Sequence, residues 1–345
     1  MDNIITKLGS IINNKNLSED DLLKYQNILK ISYKTDFEIL ASTSDKSYGL
    51  NVLYNGGLKT YMNNTSNSEK GFTTDIGWGC MIRSMQSLVA NALRIELLHL
   101  DTIVDSTSDG DNKGCELSIA RLFRDDPQYP FSIHNITKIG YDCFNVNIGD
   151  WFGPSVGAQC MQKIISSQEQ LIFDKCCVSV DSGTLYEDEL EEYFEKNSSK
   201  SVLVLLCVRL GLDKINDGYV SSFYELFDSG NGYKFVGIAG GKPYKSLYFF
   251  HKKENFLVYA DPHHVSNYLE LDDDDKLLLD FKNNYKLGTA TIDELDPSMC
   301  IGYVIKNAEG LKEMKSRYKN SSIITFKNKQ EEQALLNSLD VDDCY

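Results

Sequence analysis

A chain of 345 residues, 42% apolar and 25% charged, is long enough to bury a sizeable core and has the balance of a soluble globular protein. With 50 acidic against 35 basic residues its formal charge is −15, the opposite of the basic footprint that direct nucleic-acid binding needs. Nine irregularly spaced cysteines, an N-terminus lacking a basic and then apolar leader, and no apolar run of membrane-spanning length lead us to expect free thiols in a reducing, cytoplasmic compartment. Zinc is discounted, because there is no CxxC pair and Cys176 and Cys177 are merely adjacent.

In chain order, residues 1–30 read as a polar amphipathic lead-in with helical potential, and 41–70, rich in Ser, Asn and Gly, as a long surface loop. The stretch "DIGWGCMIRSMQSLVANAL", 75–93, then repeats with helical spacing: Met81, Met85, Leu88 and Ala92 form one ridge, with Ile82, Val89 and Leu93 beside it. That spacing predicts a helix beginning at or within one residue of Cys80. A second loop, "DSTSDGDNKG", precedes a helical run at 155–171 and an acidic helix at 185–196. "KSVLVLLCVRLG", 200–211, has the continuous Val/Leu run of a buried strand, and "KFVGIAGG", "SLYFFHKK" and "NFLVYADP" read as three successive strands. The acidic "ELDDDDK" and the tail beyond about 325 read as solvated. The fold class is α+β: helices early, a mainly antiparallel sheet late, and the Cys80 helix packed against it.

A cysteine at a helix start meets unpaired backbone N–H groups and the positive end of the helix dipole, an environment that favours the thiolate. By itself the feature fits equally a small buried cysteine capping a core helix, which is the commoner case. A nucleophile also needs a base, usually histidine, and the chain has five. His99 lies at the far end of the Cys80 helix, His134 in a loop-like stretch, and His251 in a polar hairpin turn. His263 and His264 follow a strand end in "VYADPHH", where Pro262 holds Asp261 extended. In an extended chain residues i and i+2 share a side about 6.5–7 Å apart, so Asp261 and His263 face together and His264 points away. The carboxylate can hold one ring nitrogen and leave the other as base.

Together with the Cys80 block, the segments "NIGDWFGPSVGAQ", "CVRLGLDKIN", "GIAGGKPYKSLYFF", "VYADPH" and "DELDPSMCIGYVIKN" occur in the order and spacing of a known family. Over residues 30 to 310 the chain resembles the autophagins, cysteine endopeptidases of papain-like fold. The resemblance implies that Cys80 is the nucleophile, His263 the base and Asp261 its orienting partner. It makes Tyr33, in "SYKTDF", the oxyanion donor, and Trp151, in "WFGP", the substrate clamp. Gly240, Gly241, Lys242, Pro243 and Tyr244 correspond to a mobile loop over the cleft. The peptidase domain is then 31–318, with 41–70 as an insertion and 319–345 as a polar, flexible tail.

The resemblance further implies cleavage after the C-terminal glycine of the ubiquitin-like autophagy-related protein 8. Both the free precursor and the phosphatidylethanolamine-linked form would be substrates. Membrane contact would be transient, through the lipidated substrate, and neither metal nor organic cofactor is required. Papain carries an oxyanion glutamine six residues before its cysteine; here that position is Thr74, so another donor is needed and a tyrosine hydroxyl can serve.

The sequence departs from the family in three places. The 41–70 stretch is longer, "GYKF" stands where the family has "PQS", and "DPHHVSN" lacks the glutamine common after the histidine. "FEIL", 37–40, fits the aromatic-x-x-aliphatic pattern of peptides that join ubiquitin-like modifiers by strand addition, although the same block should pack near Tyr33. Two rivals are a different thiol acyl-transfer enzyme and a non-enzymatic adaptor for the modifier. The order Cys…Asp-Pro-His argues against the first, and the intact Cys80, Asp261 and His263 against the second.

Overall fold

The computed structural model describes residues 16–41, 71–105, 112–168, 171–180, 182–242, 245–268, 273–283 and 286–334. Its first half holds α1 (Glu19–Tyr25), β1 (Tyr33–Ala41), β2 (Gly71–Thr74), α2 (Cys80–Leu97), α3 (Lys113–Arg121), α4 (Ile133–Phe144) and α5 (Pro154–Ser167). Next come β3 (Lys175–Ser179), β4 (Thr184–Tyr186), α6 (Glu187–Lys196), β5 (Val202–Arg209), α7 (Val220–Glu225), β6 (Tyr233–Lys242), β7 (Lys245–Lys253), β8 (Phe256–Asp261) and β9 (Val265–Asn267). The chain then forms α8 (Asp274–Asn283), β10 (Lys286–Ala290), β11 (Ser298–Ile305), α9 (Ala308–Arg317) and β12 (Thr325–Lys327).

The unbroken apolar run of β5 is explained by what covers it. Strand side chains alternate between faces. Leu203, Leu205 and Cys207 enter a core shared with α2 and α5, whereas Val202, Val204, Leu206 and Val208 enter a second core with α6, α7 and α9. A strand with helices on both faces has no use for a polar alternation. The main sheet has the order β10-β8-β7-β6-β11-β5-β3, antiparallel throughout except for the parallel β3–β5 pair. A three-stranded sheet, β2-β1-β9, sits beside the Cys80 end of α2, with β1 antiparallel to β2 and parallel to β9. This is the α+β, papain-like arrangement expected, with the cysteine helix against a mainly antiparallel sheet.

Helix α2 begins at Cys80, and its whole predicted ridge is buried. It lies close against β11 because residue 302 is glycine: a Cβ there would come 2.7 Å from a Leu88 methyl. Burial goes further than the ridge, since residues 80–95 are buried on every side.

Three local readings differ from the sequence analysis. His134 stands in α4, a helix capped by the Ser132 side chain, and not in a loop. His251 lies within β7; the β7–β8 turn falls at Glu254, which adopts a positive φ of 53°. The 319–334 part of the segment read as a polar tail is packed against the domain. Ile323 and Ile324 are buried there, and β12 pairs in parallel with β4, because two adjacent isoleucines anchor an otherwise polar stretch. At the other end Leu22, Tyr25, Ile28 and Leu29 join the main core. The 42–70 part of the expected insertion lies outside the described residues, as do 1–15 and 335–345. Among the described residues no helix is long and apolar enough to cross a membrane.

If β5 carries both cores, truncating one of its inner side chains is costly. Leu205→Ala should destabilise the fold by about 2–5 kcal/mol in chemical denaturation, the usual cost of a buried leucine cavity. A loss below about 1 kcal/mol would mean that the sheet face collapses to fill the space.

Candidate active site

A helix buried on every side needs partners for its polar side chains. Two of those on α2 find them in the chain that leads into β1. Asn91 accepts the Leu29 N–H at 3.1 Å and donates to the Leu29 carbonyl at 2.6 Å. One turn earlier, Ser87 accepts the Ile31 N–H at 2.9 Å. Residues 29–31 therefore run along α2 toward its N-terminus, and Tyr33 arrives beside Cys80. A residue 47 positions upstream is brought there by side-chain to backbone bonds that no local pattern announces.

The second arm comes from β8. Pro262 accepts the Tyr33 N–H at 2.9 Å, and Tyr33 is in register with Val265 of β9. The Asp261–His263 pair forms, though not in an extended chain. Pro262 and His263 make a turn in which Asp261 Oδ1 accepts the His263 backbone N–H at 3.0 Å and its Nδ1–H at 2.5 Å. An aspartate before proline favours such a side-chain-closed turn, and this brings the two groups closer than strand geometry does. His264 is exposed. The Tyr33 ring stands edge-on to the His263 ring, with centroids 5.2 Å apart.

The Cys80 sulfur is the meeting point. The His263 imidazole, the Ser246 backbone N–H and the Trp151 indole lie around it and favour its charged form. The Tyr33 hydroxyl lies beside the same sulfur, with Gly77 next to it in the groove wall. Gly77 has a φ of 89°, a left-handed conformation open to glycine at no steric cost.

Two effects compete for the thiol. Burial pushes its pKa up, while the hydrogen bonds from His263 and Ser246 and the nearby imidazolium pull it down, and the second group wins. For His263 burial works against the charged form, yet hydrogen bonds to Asp261 and Cys80 raise its pKa to about 9. Asp261 is likewise pushed up by burial but held below the usual carboxylate range by His263. Both shifts favour the thiolate–imidazolium form of the pair. Burial raises the Tyr33 phenol, as do the negative charges of Cys80 and Asp75, so it remains a donor.

Thr74, at the position of papain's glutamine, is buried and donates its hydroxyl to the Lys34 carbonyl at 2.8 Å. Its donor is spent, and its carbonyl accepts the Trp78 indole N–H at 3.1 Å. Above the sulfur lies a groove of about 1100 Å³ lined in part by Tyr33, Trp151, Lys245, Ser246 and His263. Trp151 is 53% exposed, and it shares the rim with Leu212, 79% exposed, and Val265. Gly240 and Gly241 are buried at the end of β6, and Lys242 bonds Glu294 at 2.6 Å. Pro243 and Tyr244 lie outside the described residues. Among the described residues no three His, Cys, Asp or Glu side chains are placed to hold a metal ion. Phe37 and Leu40 of the "FEIL" block are buried, so their side chains are not free for a modifier. Sequence reasoning missed Ser246, and no residue signal could have found it, because its contribution is a backbone N–H placed by the β6–β7 hairpin.

A groove over a paired thiol and imidazole, carried by this α+β fold, is the arrangement of the papain-like cysteine peptidases. Residues 19–317 match the peptidase C54 catalytic domain. Over 336 residues the chain is 33% identical to a Kluyveromyces marxianus protein named cysteine protease ATG4, covering 94% of this chain and 71% of that one. The protein of the same name from Saccharomyces cerevisiae is 34% identical over 309 residues, covering 89% of this chain and 60% of its own length. The chain belongs to the C54 family, the autophagins.

Thiol reactivity follows from the competition just described. Iodoacetamide at pH 7 should alkylate Cys80 well before Cys160, Cys176, Cys177 and Cys300, whose pKa values burial raises. Without its imidazole partner the Cys80 thiol is left to burial and its pKa rises, so His263→Ala should slow alkylation by about tenfold or more. Equal rates in both proteins, read by peptide mass spectrometry, would show that His263 does not hold the thiolate.

Proposed function

We propose that this chain is a cysteine endopeptidase that cuts after the C-terminal glycine of the ubiquitin-like autophagy-related protein 8. It acts on the precursor and on the amide with phosphatidylethanolamine, in the cytoplasm and at the membrane surface where the lipidated substrate resides. The observation that carries the reading is the convergence of Tyr33, His263 and Ser246 on the Cys80 sulfur at the foot of the groove.

The Cys80 thiolate attacks the glycine carbonyl. Charge then moves from sulfur to the carbonyl oxygen, and the Tyr33 hydroxyl, which served the thiolate, turns to the oxyanion beside the Cys80 backbone N–H. His263 gives its proton to the leaving nitrogen, so the thioester forms as the peptide or ethanolamine amine departs. The neutral imidazole next activates water, and hydrolysis restores the free thiol and a glycine carboxylate. Asp261 holds His263 in the orientation both steps need. Trp151 lines the groove beside the sulfur, so a substrate must pass it, and a glycine tail is the slimmest segment able to enter. The exposed apolar rim of Trp151, Leu212 and Val265 supports docking of a folded modifier beside the groove.

Incubation with a tagged modifier precursor tests the reading. Cys80→Ala should abolish cleavage while retaining fold and binding. His263→Ala should be inactive and His264→Ala largely active; cleavage by Cys80→Ala, or a reversed order for the histidines, would overturn the assignment. Tyr33→Phe should lower kcat by about 10–1000-fold with little change in KM.

The alkaline limb is fixed by His263. Its pKa is raised, so the protonated acid persists as pH climbs and is lost near pH 9. Cleavage should therefore fall through about pH 9, and in Asp261→Asn the residual activity should fall at lower pH, because the bond that raises the imidazole pKa is weakened. A limb that stays put in Asp261→Asn would remove Asp261 from this role.

A further inference from the structure

Beneath the thiol lies a set of buried charges that the chemistry above does not use. Asp75 is wholly buried, and each of its oxygens is committed to a different element. Oδ1 accepts the Lys34 N–H at 2.8 Å, one residue past Tyr33 on β1. Oδ2 accepts Arg83 Nε at 2.7 Å, within the first turn of α2. The Asp75 carbonyl accepts the Trp78 and Gly79 N–H groups, closing the turn that delivers Cys80. Arg83 is held in turn by Asp125 at 2.8 Å and by Gln86 at 3.1 Å, and Asp125 also accepts the Ile133 N–H at 3.2 Å. The cradle is tight: a Cβ at residue 79 would stand 2.5 Å from Asp75 Oδ2.

We propose that Asp75 is a positioning residue for the oxyanion donor: locked by Arg83, its carboxylate fixes the gap between Tyr33 on β1 and Cys80 on α2 into which the glycine carbonyl must fit. The proposal rests on the reading of Cys80 as nucleophile and Tyr33 as donor. Apolar side chains could fill the same space at similar stability, so burying two carboxylates and a guanidinium is better matched to fixing a geometry than to holding the fold. Oxyanion stabilisation is worth most when the donor is already in place, and a displacement of about 1 Å costs on the order of 100-fold in rate. The Asp75 charge also acts on Tyr33 directly, helping to keep the phenol protonated.

The test uses the whole chain and the tagged modifier precursor, measuring kcat, KM and the rate of Cys80 alkylation at pH 7. Asp75→Asn should lower kcat by about 10–100-fold with KM unchanged and with no slowing of alkylation, since His263, Ser246 and Trp151 still hold the sulfur. In a Tyr33→Phe background the same change should cause little further loss, because the group it positions is gone. Should Asp75→Asn fail to fold, Gly79→Ala keeps every charge and drives a methyl into the carboxylate; the same loss of kcat and the same dependence on Tyr33 are expected. Equal loss in both backgrounds, or no loss at all, overturns the proposal. A Tyr33→Phe protein with full kcat overturns instead the oxyanion reading, and the role of Asp75 falls with it.

Discussion

The burial of α2 on every side is the constraint from which the site follows. A helix with one wet face can leave its polar residues to water, but α2 cannot. Asn91 and Ser87 therefore take the backbone of residues 29 and 31, and Arg94 takes Glu116 at 3.1 Å. The first two bonds lay the lead-in to β1 against the helix and carry Tyr33 to Cys80. What looks like packing of a core helix is thus also the means by which distant parts of the chain are registered against one thiol.

The same burial sets the chemistry through a contest between two large effects. Removing a thiol from water favours its neutral form, as it does at Cys160, Cys176 and Cys300. At Cys80 hydrogen-bond donors and the imidazolium reverse that outcome. The difference lies in position. Cys80 opens its helix beneath the turn after β8 and the hairpin edge at Ser246, whereas Cys300 stands inside β11, which is paired on both sides with β5 and β6. Cys80 is 3% exposed, against 4% for Cys176 and 0% for Cys300, so exposure alone would not single it out.

Legibility in the sequence followed the range of the interaction. The α2 start and the Asp261–His263 pair are local, so spacing revealed them, although the aspartate closes a turn where an extended chain was read. The β5 run was legible because two-sided burial leaves a continuous apolar stretch. Tyr33 came only through family resemblance, since nothing near it in sequence records the bonds of Ser87 and Asn91. Ser246 and Asp75 were invisible for opposite reasons: one acts through its backbone, the other through partners supplied by the folded chain. His134 and His251 were misplaced because polar neighbours masked a helix and a strand held by tertiary packing, and the packed stretch 319–334 has only Ile323 and Ile324 to announce it.

The chain contains two tryptophans, and they sit at opposite ends of the same story. Trp78 is buried with its indole bonded to the Thr74 carbonyl. Trp151 stands half in water in the groove that also holds Cys80 and His263, whose charged forms quench indole emission. Light emitted at short wavelength thus reports the integrity of the scaffold, while the long-wavelength component reports whether the groove is shut or occupied. The molecule carries its own unlabelled optical gauge of substrate entry.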